Sequence, residues 1–222
     1  MKLMTFKTKE IKELIAKRLG IALARDGFIY NKTLNEFRCV KGDYTYIFNL
    51  LQNSWSDHYS IDVRLALSQK EIESILENII GKLRHKYTFW RELGRIYKSP
   101  DGRQVVNGNL AIIILFDEDV YAAIETLERY YETIAKGYYE KYNSLEAIDD
   151  IMNNPPFDHS PAHVGGVLDN RCMKGLIVAK LIRNPNYDKL VEIYDEEIKR
   201  TMNTESMENY YKVRDYLNYN KI

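Results

Sequence analysis

Apolar positions along this chain first recur at helical spacing. Ile11, Leu14, Ile15, Leu19 and Ala22 lie on one stripe, which predicts a helix over about 9–25 that Asp26-Gly27 stops. The period then drops to two. Phe28 and Tyr30 alternate, as do Phe37 and Cys39, then Tyr44, Tyr46, Phe48 and Leu50, then Tyr59, Ile61, Val63 and Leu65. Four strands follow from this, separated by the turn-rich runs 31–35, 41–43 and 53–57. Such short connections favour an antiparallel meander, because a parallel crossover needs a dozen or more residues. Asp62 and Arg64 fall between the apolar positions of the fourth strand, which predicts one wet face and one face packed on helices.

Ser68-Gln69-Lys70-Glu71 has the spacing of a capping box before a helix carrying Ile72, Ile75, Leu76, Ile79, Ile80 and Leu83. A short helical piece is expected around Phe89–Tyr97. Asn107-Gly108 predicts a hairpin turn, and Leu110–Phe116 a buried strand rich in β-branched residues. Beyond Asp117 the pattern is helical. A long helix capped by Asp117 carries Val120, Ile124, Leu127, Tyr131, Ile134 and Tyr138, and a short one follows Ser144 with Leu145, Ile148 and Ile151. Asn153-Asn154-Pro155-Pro156 breaks the chain, Ser160-Pro161 starts another helix, and Asn184-Pro185-Asn186 separates it from helices over about 187–202 and 205–219. The expected fold is therefore α+β. An antiparallel meander of four to six strands, flanked by helices, occupies residues 1–143, and an all-helical region occupies 144–222.

Composition narrows the class. Of 222 residues, 45% are apolar and 29% charged, as in an ordinary globular chain, which excludes disordered and collagen-like classes. No apolar run approaches the ~18 residues of a membrane span, and Met1–Lys7 has no apolar stretch long enough for a secretory signal. Cys39 and Cys172 form no Cys-x-x-Cys pair, so free thiols in a reducing cytoplasm are expected. The 32 Lys+Arg balance 32 Asp+Glu, but residues 1–111 hold 19 against 12 and residues 112–222 hold 13 against 20. Such an asymmetry marks either a polyanion-binding half or two halves, or two copies, that complement each other.

Candidate chemistry is sparse. Asp158, His159 and His163 bring two imidazoles near a carboxylate, the residue types of a metal or acid–base site. A helix starting at Ser160-Pro161 leaves His159 outside it, so a simple His-x-x-x-His site does not form and no metal is expected. Residues 82–103 interleave cations, among them Arg91 and Arg95, with Phe89, Trp90 and Tyr97, as single-stranded nucleic acid requires; the alternative is core aromatics beside solvated cations. Trp55 and His58 sit on the loop between the third and fourth strands, where Trp55 is either a cap over the core edge or a binding anchor. The 18 tyrosines suit protein interfaces, or merely reflect an AT-rich genome. No nucleophile elbow, phosphate loop, dinucleotide fingerprint or zincin motif is present, and no cofactor is implied.

The run from Gly27-Phe28 through Phe48-Asn49-Leu50-Leu51-Gln52-Asn53-Ser54-Trp55 to Tyr59-Ser60-Ile61-Asp62-Val63 resembles the bacterial domain-of-unknown-function family numbered 4304. The resemblance covers about a fifth of the chain and brings no activity with it. Some α+β domains of this kind look like immunity proteins encoded beside bacterial toxins. The expectation is a bacterial cytoplasmic protein that binds a protein partner or itself, with nucleic-acid binding through 82–103, or an enzyme near Asp158, His159 and His163, as the alternatives.

Overall fold

The computed structural model describes residues 6–81, 86–96, 110–154, 168–201 and 203–220. Helix α1, Thr8–Ala24, buries Ile11, Ile15, Leu19 and Leu23. It stops because Gly27 takes a positive φ of 85°, while the Phe28 N–H turns back to the Leu23 carbonyl at 3.2 Å. Strands β1 (Ile29–Asn31), β2 (Glu36–Lys41), β3 (Tyr44–Ser54) and β4 (Tyr59–Gln69) follow as the alternation predicts. With β5 (Phe89–Glu92) and β6 (Ile112–Ile114) they form a six-stranded sheet of order β1-β2-β3-β4-β5, in which β6 also pairs with β4. The fold is α+β with an antiparallel, sequentially connected sheet. Among the described residues no helix is long and apolar enough to cross a membrane.

Side-chain alternation assigns the sheet's two faces. Phe37 opposite Phe48 and Cys39 opposite Tyr46 lie on the core face. The opposite face is less wet than the sequence implies. Asp62 and Arg64 are half-buried there, but Glu36 and Asn49, which are register partners, are buried. Both polar groups are satisfied: Arg38 Nε donates to Glu36, and Asn49 Nδ2 donates to the Leu34 carbonyl at 3.2 Å. A buried polar side chain is tolerated when its hydrogen bonds are made, which is why polarity alone misassigns this face.

Several boundaries move for identifiable reasons. Gln69, not Ser68, caps α2 (Lys70–Ile80), its Oε1 accepting from the Ile72 N–H at 2.8 Å. The strand runs on through Gln69 because the Thr88 N–H donates to the Leu67 carbonyl and the Gln69 N–H to Thr88 Oγ1. The segment expected to be helical from Phe89 is β5 followed by the single-turn helix α3, Leu93–Ile96. Asp117 does not cap the long helix; its carboxylate accepts from the Phe6 N–H at 3.0 Å. That helix comprises α4 (Asp119–Tyr130), a π-helical turn (Tyr131–Ala135) and α5 (Lys136–Lys141). The wider turn shifts the apolar stripe by one residue, burying Ala135 in place of the half-buried Ile134. The C-terminal helices are α6 (Leu145–Asn153), α7 (Leu168–Leu181), α8 (Tyr187–Thr201) and α9 (Thr204–Tyr219).

Compactness divides the chain differently from one break after 143. One unit is Met1–Ala66 with Arg91–Glu140, and the other is Leu67–Trp90 with Lys141–Ile222. Helix α2 belongs to the second because it buries Ile72 and Leu76 within a group that includes α7 and α9. This division removes the charge asymmetry. The first unit holds 17 Lys+Arg against 16 Asp+Glu and the second 15 against 16, so complementary charge between compact units is no longer an argument for assembly.

In the first unit the π-helical turn is latched to the end of α1. The Tyr131 hydroxyl donates to Asp26 Oδ2 at 2.9 Å, and Lys136 Nζ lies 3.0 Å from the same oxygen. The Lys136 and then the Tyr131 hydrogen bond hold the Asp26 carboxyl below its ordinary 3.8. A depressed carboxyl contributes stability that is present above the unfolded value and lost as pH falls through the folded one. Midpoints of denaturant unfolding should therefore fall as pH drops below about 4. Asp26→Asn should flatten that part of the profile; an unchanged slope in the variant would show that the latch contributes nothing.

Candidate functional site

The hairpin between β3 and β4 closes when the Trp55 N–H donates to the His58 carbonyl at 2.8 Å. This places both predicted residues at one tip. Trp55 stacks on His58 with ring centroids 5.8 Å apart and planes 19° apart, while its indole N–H donates to Ser60 Oγ at 3.3 Å. The indole is fixed at both ends, yet Trp55 is 59% exposed. It is an ordered ring facing outward rather than a cap over the core. Asp57 Oδ1 lies 2.7 Å from His58 Nδ1, and that bond holds the Asp57 carboxyl below its ordinary value.

Strand β6 extends this surface. Ser60 is the register partner of Ile113, so Ile113 shares the face that carries the Trp55 indole. Leu115 follows directly on the end of β6, two residues beyond Ile113. Ile113 is 48% exposed and Leu115 43%. The expectation of a buried strand over Leu110–Phe116 thus holds for Ile114 alone among these three, because only that residue turns to the core side. Trp55, His58, Ile113 and Leu115 form one apolar and aromatic patch. Sequence reasoning found the first pair from loop composition and missed the second, which becomes visible only through the pairing of β6 with β4.

The other predicted residues do not join this surface. Arg91 donates to the Arg95 carbonyl at 3.2 Å, and Arg95 Nε pairs with Glu92 Oε2 at 3.1 Å. Within the second unit Lys86 pairs with Glu77 at 2.6 Å, and Phe89 is buried edge-to-face against Tyr142. Trp90 is half-buried. The described part of 82–103 therefore uses cations and rings internally. Asp158, His159 and His163, with the predicted helix start at Ser160-Pro161 and the rest of the basic segment, lie outside the described residues. Several of the tyrosines serve packing: Tyr131, Tyr138, Tyr139 and Tyr210 are buried. Cys39 and Cys172 are buried and form no disulfide, and burial pushes the Cys39 thiol up, away from reactivity.

The second unit holds a cleft of about 500 Å³ between α6 and the α7–α8 turn, lined by Asp149, Asn153, Asn184 and Lys189 among others. Asp149 is buried, and its oxygens accept from Asn153 Nδ2 at 2.6 Å and Asn184 Nδ2 at 2.7 Å. Desolvation raises its carboxyl against the effect of these two bonds. Asn153 also donates to the Gly175 carbonyl at 2.9 Å and accepts from the Tyr194 hydroxyl, so both its N–H donors and its oxygen are engaged. This network positions helices, and among the described residues no group of three His, Cys, Asp or Glu is arranged to hold a metal. No protein-family model, curated protein or solved structure matches this chain.

Proposed function

We propose that this protein is a binding module without catalytic activity of its own, recognising a protein partner through the Trp55 face as an immunity or accessory factor does. The observation that carries this reading is the patch itself. Trp55 is held by His58 and Ser60 before any partner arrives, beside exposed Ile113 and Leu115. Exposed apolar patches mark interaction sites, and an aromatic ring already ordered loses little rotamer freedom on binding. The immunity role itself is suggested by the resemblance of 27–67 to the domain-of-unknown-function family numbered 4304, because some α+β domains of that general kind look like immunity proteins.

The test is a photoreactive phenylalanine placed at Ser56, crosslinked in the native cell, followed by affinity measurement with the recovered partner. One protein should dominate the adducts, and Trp55→Ala should weaken its binding by about 2 kcal/mol, roughly 30-fold. Absence of any protein adduct, or an affinity unmoved by Trp55→Ala, would sink the reading.

A further inference from the structure

The charge around the Trp55 patch specifies the partner more closely, in an inference that rests on the docking reading above. The two stretches around the patch are 53–59, the tip of the β3–β4 hairpin, and 113–121, which runs from β6 into the first turn of α4. Together they contain Asp57, Asp117, Glu118 and Asp119 and no lysine or arginine, in a chain with 32 of each charge. Neither stretch is solely core, where cations are excluded anyway, since Trp55, Asp57, Ile113, Leu115, Glu118 and Tyr121 are exposed.

The acids border the apolar residues directly. Asp57 occupies the hairpin tip between Trp55 and His58, with a side chain 78% exposed. Asp117, Glu118 and Asp119 follow Leu115 within four positions. Asp119 is tied to this spot, its Oδ2 accepting from the Leu115 and Phe116 N–H groups, both at 2.9 Å. The Asp117 carboxylate is engaged by the Phe6 N–H beside Lys7, so Asp57, Glu118 and Asp119 are the acids that matter to the patch. His58 already faces Asp57. Lys7 and Lys9 flank Thr8, which meets the hairpin at Ser54, a position with the parity of Phe48 and Leu50 on the core side. Along β4 the first cation is Arg64, beyond Asp62.

We infer that the partner docks a segment carrying arginine or lysine next to an apolar side chain. Its apolar side chain lies on Ile113 and Leu115, while its cation stacks on the Trp55 ring and faces Asp57 and Glu118. A guanidinium over an indole gains from the ring's negative face, and the carboxylates at the rim select for it and speed encounter. The same charges repel a nucleic acid backbone, so this face takes a basic protein segment and not a polyanion.

The experiment titrates three twelve-residue peptides, alternating Leu with Arg, Gln or Glu, into the full chain carrying Trp90→Phe, so that Trp55 alone reports by fluorescence. The Leu/Arg peptide should bind at least tenfold tighter than Leu/Gln, and Leu/Glu should not bind. The preference should shrink several-fold in 0.5 M salt and in the double variant Asp57→Asn, Glu118→Gln. Equal binding of the Leu/Arg and Leu/Gln peptides overturns the charge assignment while leaving the docking surface intact. Silence of Trp55 toward all three peptides at millimolar concentration overturns the inference, while the crosslinking experiment decides the docking reading separately.

Discussion

Lys174→Met is expected to destabilise the second unit by about 3–5 kcal/mol, the usual consequence of stripping one partner from a buried ion pair. Lys174 on α7 is 4% exposed and Glu73 on α2 is 3% exposed. The ammonium lies 2.9 Å from Glu73 Oε1 and 2.5 Å from the Tyr87 carbonyl. Glu73 Oε1 also accepts from Thr88 Oγ1 at 2.8 Å, and Thr88 in turn receives the Gln69 N–H. Every member of this chain of bonds is satisfied, and removing the cation leaves a carboxylate in an apolar interior. Glu73→Gln added to Lys174→Met should recover most of the loss, since the amide oxygen still accepts from Thr88 and no unpaired charge remains. Guanidinium denaturation of the single and the double variant reads this directly. A single variant within 1 kcal/mol of wild type would mean that the pair is hydrated rather than buried.

The features legible in the sequence were those set by near neighbours. β1 to β4 follow from two-residue alternation because one face of each meets the core, and the breaks at Gly27 and Asn184-Pro185 follow from backbone chemistry. What escaped depends on partners far along the chain. Glu73 sits on a helix face that reads as polar until Lys174, 101 residues away, is placed beside it. Asp149 and Asn153 are buried on α6 while the predicted apolar positions Leu145 and Ile151 are half-exposed, because Asn184, Gly175 and Tyr194 supply the hydrogen bonds. Ile113 looks like core in any local window and becomes surface only through its register with Ser60. Charge behaves likewise: the surplus of acids in the second half dissolves once 67–90 and 91–140 are assigned to their units, and a local deficit of cations around Trp55 takes its place.

Gly175→Ala is expected to be nearly as damaging as loss of Lys174, although it adds a single carbon to a helix. A Cβ built at Gly175 would lie 2.7 Å from Asn153 Oδ1 and 3.1 Å from the Tyr194 hydroxyl oxygen, and real Cβ atoms essentially never approach another heavy atom closer than 3.0 Å. On an exposed helix the change would stabilise, because alanine has the higher helix propensity. Here the contact is to groups that cannot yield independently. Asn153 is held by the Gly175 carbonyl and by Asp149, and Tyr194 bonds to the very oxygen the new methyl would strike. Overpacking of this kind costs about 1–3 kcal/mol, and displacing the Asn153 amide leaves buried donors unpaired at a further ~1–3 kcal/mol. The expected loss is therefore about 3 kcal/mol. Tyr194→Phe should lower the damage done by a subsequent Gly175→Ala, because it removes the hydroxyl that fixes Asn153 in the methyl's path. A double-mutant cycle by denaturant unfolding measures that coupling. Additive losses in the cycle, or a stabilising Gly175→Ala, would show that α6, α7 and α8 pack less closely than the Gly175 contact requires.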